Sequence, residues 1–181
     1  MVYWLTELAS WLAGKVPRRA RLALAGPITT LVYYAWVSKR RVTIANMAQV
    51  LGVAPSDARA RRLARQSWRN YGRYVSDFLY LPNATAEQII ARMSDVSAAP
   101  GAFAGVDAIK EQGKGLIIAT EDYGAWDIAG VAIASRMPLH VLVDTFTDPR
   151  RDEMIQRQRA QFGLRVLRAE KSPRPILRTL K

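Results

Sequence analysis

Cysteine is absent from this chain, which excludes disulfide bridges and thiolate metal sites. Histidine occurs once, at His140, so no metal centre can be assembled from several imidazoles. Acidic side chains are few beside basic ones, 15 against 27, and the formal net charge is +12 with a pI near 10.6. An excess of that size points to an anionic partner: nucleic acid, anionic lipid or a phosphate-bearing substrate. Zinc-finger spacings and RNP-like aromatic motifs are missing as well, so nucleic acid is not the expected partner. Long hydrophobic runs are also scarce. A membrane span needs roughly 20 apolar residues, whereas the uncharged run Leu22 to Val37 has sixteen and contains Gly26-Pro27 and Thr29-Thr30.

What is present describes a folded chain. Half of the 181 residues are hydrophobic and 23% are charged, enough apolar content for one substantial core. The first forty residues look directed to a lipid surface. Val2, Tyr3, Trp4, Leu5, Leu8, Trp11 and Leu12 spread aromatic and aliphatic groups over a short helix, and Lys15, Arg18, Arg19 and Arg21 follow. Tyr33, Tyr34 and Trp36 then stand beside Lys39-Arg40-Arg41, a pairing that suits the headgroup region of a membrane. The same residues also suit helix packing within a soluble fold. An interfacial helix or hairpin is expected for 22–37, and no cleaved signal peptide is expected. Residues 1–41 are thus read as membrane-associating helices and 42–181 as an α/β domain.

Residues 43–52 read as a helix closed by Gly52. Ser56, just after Pro55, is the expected N-cap of a long helix whose buried face runs through Leu63, Ser67, Asn70 or Tyr71, Tyr74 or Val75, and Phe78. Arg59, Arg61, Arg62, Arg65, Arg69 and Arg73 occupy much of its remaining surface, which reads as a solvated face. A short helix capped by Thr85 spans 85–93, and 94–104 is an irregular linker. Another short helix is expected at 106–112. Beyond Gly113 the pattern alternates: strand 116–120, helix 126–136, strand 139–144, helix 149–162, strand 164–168 and the start of a helix at 173–181. That order predicts a β-α-β-α-β, mostly parallel sheet covered by helices.

The most informative stretch is 115–130. The apolar run Leu116 to Thr120 stops at Glu121 and Asp122, turns through Tyr123-Gly124-Ala125, and opens a helix at Trp126-Asp127. Strand ends that lead into helices are where α/β sheets place chemistry. With Gly113 and Gly115 ahead of it, this block resembles the bacterial lipid A biosynthesis acyltransferases of the lysophospholipid acyltransferase superfamily, which carry Gly-x-Gly, a strand, then His-x-Gly-Asn-Trp-acid. Asp122 stands where that family has histidine, and Ala125 where it has asparagine. Weaker similarity extends to Arg40 through Met47, to Trp68 through Arg73, to Thr147 through Asp152 and to Arg157 through Gly163.

The resemblance implies transfer of a fatty acyl group from acyl-CoA or acyl carrier protein to a glycolipid hydroxyl, on a lipid A precursor or a phosphatidylinositol mannoside. It implies a site at the cytoplasmic face of a bacterial inner membrane, peripheral or N-terminally anchored. No cofactor is expected beyond the acyl donor itself. It also implies further strands after residue 181, so the chain is expected to be a fragment, a truncated product or a reduced relative. Such a transfer needs a base to take the hydroxyl proton as the thioester carbonyl is attacked. Asp122 occupies that position and Asp127 that of the residue orienting the base. A free aspartate has a pKa of about 3.9 and is a poor base near neutrality, although burial or a second carboxylate raises it. Glu121 is a second candidate base. All three carboxylates also fit plain helix capping and dipole compensation. Gly124, Trp126 and Arg159 are the expected substrate-binding residues, Arg159 pairing with a phosphate of donor or acceptor. His140 reads as a core or edge histidine. Two other readings stay open: a non-catalytic relative that binds anionic lipid or a partner enzyme, and a charge-driven nucleic-acid binder.

Overall fold

The computed structural model describes residues 2–91, 108–109, 111–113, 115–119, 124–169 and 174–179. By contacts the chain forms two compact units, Thr6–Asn83 and Ala84–Lys181, the latter taking in Met1–Leu5.

The first unit is helical: α1 (Val2–Lys15) from Thr6 onward, α2 (Arg18–Ala35), α3 (Val37–Leu51), α4 (Ala58–Tyr80) and a 3-10 turn, Leu81–Asn83. α2 forms one continuous helix across Pro27 rather than a hairpin. Proline removes an N–H from the ladder, and the hydroxyls of Thr29 and Thr30 donate back to the carbonyls of Ala25 and Gly26, at 2.6 and 2.7 Å. Packing of α2 and α3 on α4 builds this unit. Small residues make the approach close. Ala60 and Ala64 are fully buried, and a Cβ on Gly72 would overlap the Thr29 side chain. Arg21, 8% exposed, ties the same pair: its Nη1 donates to the Ser76 carbonyl at 2.6 Å and its guanidinium lies 4.2 Å from the Tyr80 ring centre. An aromatic cluster of Tyr33, Trp36 and Trp68 adds edge-to-face contacts, with Trp68 Nε1 donating to Thr43 Oγ1 at 3.0 Å.

Gly52 ends α3 in a left-handed conformation, φ 62°, as its position predicts. The N-cap of α4 is Asp57, not Ser56. Its carboxylate accepts from the Arg59 N–H at 2.7 Å and forms an ion pair with the Arg59 side chain at 2.9 Å. The Arg59 side-chain and backbone hydrogen bonds hold the Asp57 carboxyl below the usual carboxylate range. A carboxylate satisfies both the helix N–H and the following guanidinium, which a serine hydroxyl cannot.

The second unit holds α5 (Ala86–Ile90), α6 (Trp126–Ala134), β1 (Leu139–Val143), α7 (Pro149–Gln161), β2 (Leu164–Arg168) and α8 (Arg174–Thr179). Thr85 and Gln88 form the capping box of α5. Asp148 caps α7, with Pro149 in its first turn. β1 and β2 pair in parallel from Leu139–Leu164 to Val143–Arg168, and His140 lies opposite Arg165 as a strand residue. α6 packs on both strands, and Leu164 reaches within 3.1 Å of where a Cβ on Gly130 would stand.

Among the described residues the sheet has two strands, so the expected three-strand pattern reduces to β1-α7-β2. Residues 115–119 pair with no strand, Ile117 and Ile118 are 76% and 42% exposed, and Thr120 lies outside the described residues. An apolar run specifies a preference for burial but not a hydrogen-bonding neighbour, and a strand exists only through that neighbour. Coverage of both sheet faces is also incomplete, with Leu142 59% exposed. Of the short helix expected at 106–112, residues 108, 109 and 111 are helical; 106, 107 and 110 lie outside the described residues, as do 92–104.

Candidate acyl-transfer site

The Gly-x-Trp-acid block opens α6. Gly124 takes φ 66°, a left-handed conformation that costs glycine nothing, and its Cβ position faces open space. The chain can therefore reverse sharply into Trp126, the first residue of α6, with Asp127 next in the first turn. A carboxylate there meets the positive end of the helix dipole. Ala125 precedes the helix without a side-chain cap. Glu121 and Asp122, the candidate bases, lie outside the described residues, as does Tyr123.

Asp127 is 9% exposed, and its Oδ1 accepts from Nε of Arg159 at 3.3 Å. Arg159 projects from α7, so two residues singled out separately, 32 positions apart, meet in space. The contact uses a single nitrogen. Nη1 of the same guanidinium donates to Gln156 Oε1 at 3.3 Å, which holds its plane.

Gln156 carries the network onward. Its Nε2 donates to Asp152 Oδ1 at 3.2 Å, and Asp152 Oδ2 accepts from Arg168 Nη2 of β2 at 2.7 Å. The Phe146 N–H donates to Asp152 Oδ1 at 3.2 Å. The result is a continuous polar chain from Arg168 through Asp152, Gln156 and Arg159 to Asp127, linking β2, α7 and α6. Placed between an acid and a guanidinium, the Gln156 amide can face only one way: nitrogen toward Asp152, oxygen toward Arg159. Desolvation disfavours the Asp152 anion, but the Gln156 and Phe146 hydrogen bonds and the Arg168 charge outweigh it and hold the carboxyl below its usual range. Gln156, Asp152 and Arg168 were not legible as site residues. The signal lay in spacing alone: 152, 156 and 159 follow four- and three-residue steps along one face of α7.

The sequence model of the bacterial lipid A biosynthesis acyltransferases matches residues 1–181. The chain belongs to this family. No curated protein matches it. Its fold is compatible with an α/β acyltransferase, mostly helical with a small parallel sheet. No helix among the described residues is long and apolar enough to cross a membrane.

Proposed function

We propose that this acyltransferase acts at a membrane surface, moving a fatty acyl group from acyl-CoA or acyl carrier protein to a glycolipid hydroxyl. The observation that carries the reading is the family match over the whole chain given, with the motif acid Asp127 engaged by Arg159 at the start of α6. In the reaction the acceptor oxygen attacks the thioester carbonyl, an ester C–O bond forms and the C–S bond breaks. The hydroxyl proton passes to a base and then to the departing thiolate. Asp122 is the proposed base and Asp127 the residue that orients the base and supports its charge. Arg159, fixed by Gln156, offers its remaining N–H groups to a phosphate of donor or acceptor.

The helices at 1–41 are the proposed membrane-facing part, at the cytoplasmic face of the inner membrane. Trp4 and Trp11 are 65% and 59% exposed, and Leu5, Leu8 and Leu12 lie exposed beside them on α1. Aromatic rings and cations in one short segment suit the interfacial layer.

A second reading, a catalytically impaired relative that binds anionic lipid or a partner enzyme, draws support from the same place. Asp122 replaces the family's histidine, and Asp127 already holds an arginine rather than an imidazole. Acyl transfer measured with purified protein, acyl-CoA or acyl carrier protein donors, and lipid A precursor or phosphatidylinositol mannoside acceptors separates the two. The enzyme reading expects turnover that Asp122→Ala abolishes and Asp122→His raises. Turnover by neither the native protein nor Asp122→His supports the impaired relative.

A further inference from the structure

α2 and α4 enclose a groove of about 530 Å3 lined by Thr30, Arg62, Arg65, Gln66, Arg69, Asn70 and Arg73. Four of these residues are arginines on a single helix, at steps of three, four and four. At about 100° per residue they fall within an arc of about 80°, and the rise of ~1.5 Å per residue spreads them over about 16 Å. No carboxylate among the described residues lies within ion-pair distance of any of them, although Arg18, Arg21, Arg59, Arg157, Arg159 and Arg168 all have one. Arg65 donates to the Tyr34 hydroxyl at 3.2 Å, which holds one guanidinium at the edge of the groove. The Gln66 and Asn70 amides add neutral donors on the same wall.

Four like charges in one concave site repel each other and focus a positive potential into it, which an oxyanion relieves. Guanidinium forks match phosphate oxygens two at a time. α2 supplies the remaining clue. Leu24, Ile28 and Leu31 form an exposed apolar stripe on it, 54%, 57% and 72% exposed, while Thr30 beside them lines the groove. An apolar stripe next to a row of arginines is the arrangement that seats aliphatic groups among acyl chains and cations at headgroup level.

We propose that the α2–α4 groove is a phosphate site that takes the headgroups of anionic lipids, and so fixes the helical unit on the membrane. The inference rests on the membrane-surface part of the proposed function and is independent of acyl transfer. Its chemistry, phosphate oxygens on guanidinium forks, is shared by a soluble phosphate.

The test is co-sedimentation of the full chain with vesicles of 30 mol% phosphatidylglycerol in phosphatidylcholine, and with phosphatidylcholine alone, at fixed ionic strength. Binding is expected to the anionic vesicles only, with inorganic pyrophosphate competing. The pair Arg69→Gln/Arg73→Gln is expected to weaken it about tenfold or more. The pair Arg61→Gln/Arg165→Gln removes the same charge from exposed positions outside the groove and is expected to weaken it much less. Circular dichroism checks that both variants fold. Equal weakening by the two pairs overturns the groove but leaves a membrane-surface protein. Binding to neither vesicle overturns both ideas. Pyrophosphate binding without vesicle binding assigns the groove to a soluble phosphate instead. Tighter binding of a duplex oligonucleotide than of anionic vesicles, lost in the groove pair, makes the groove a nucleic-acid site.

Discussion

Asp127 and Arg159 set the character of the site at the scale of single residues. Both side chains are largely buried, 8% and 18% exposed, so their ion pair offsets part of the water each has lost. Removing one partner strands a buried charge, at a cost of about 3 kcal/mol. Urea unfolding is expected to show Asp127→Asn and Arg159→Gln each destabilising by that order, and the double variant by much less than their sum. Additive losses would mean the pair is not coupled. Asp152 makes a pH argument of the same kind. Its folded pKa is depressed, so the unfolded chain binds the proton more readily. The stability it contributes is fully present above the ordinary carboxylate pKa of about 3.9 and is lost as pH falls through the lower folded value. Asp152→Asn is therefore expected to lower the melting temperature at pH 7 and to flatten its fall with pH below about 4. A variant curve parallel to that of the native protein would remove Asp152 from the acid response.

Helix α4 shows how far element-scale patterns reach. Its start near 56–58 and its arginine-rich surface were legible from three- and four-residue steps, but the residues that bury are Ala60, Ala64 and Gly72, and Tyr71, expected on the buried face, is 58% exposed. The cap was misread by one residue, because proximity to Pro55 pointed to Ser56 and the Arg59 guanidinium that favours Asp57 acts through side-chain geometry. Gly72 carried no signal of its role. In sequence it is a helix-interior glycine with a propensity penalty; in the fold it is where Thr29 of α2 crosses α4. Gly72→Ala is expected to destabilise by about 1–3 kcal/mol despite its better helix propensity, since the new methyl overlaps a stiff β-branched side chain. Thr29→Ala in the same chain is expected to recover much of that loss, read as melting temperatures of the four variants in the cycle. Strand 116–120 failed for the opposite reason. Its apolar pattern is clear, but residues 115–119 have no ladder partner among the described residues.

For the whole molecule, the charge of +12 makes the proposed membrane affinity a salt-dependent quantity. Binding to the anionic vesicles is expected to weaken progressively as sodium chloride rises from about 50 to 300 mM, where the screening length shortens from about 14 to 6 Å. Affinity independent of salt would place the attraction in the apolar faces of α1 and α2 alone. Family membership belongs to this scale too, because the match covers all of residues 1–181.

By itself the sequence determined the family, the helical first half, the alternating β1-α7-β2 segment and two of the three caps it marked, Gly52 and Thr85. These depend on interactions among residues a few positions apart, or on a motif whose spacing is its meaning. Only the tertiary structure decided that Asp127 meets Arg159, that Gln156 and Asp152 continue the chain to Arg168, and that four arginines of α4 share a groove with α2. Those outcomes depend on which helix face meets which neighbour. Periodicity marks a face as polar or apolar, but the partner across the contact is fixed by packing between segments far apart in the chain.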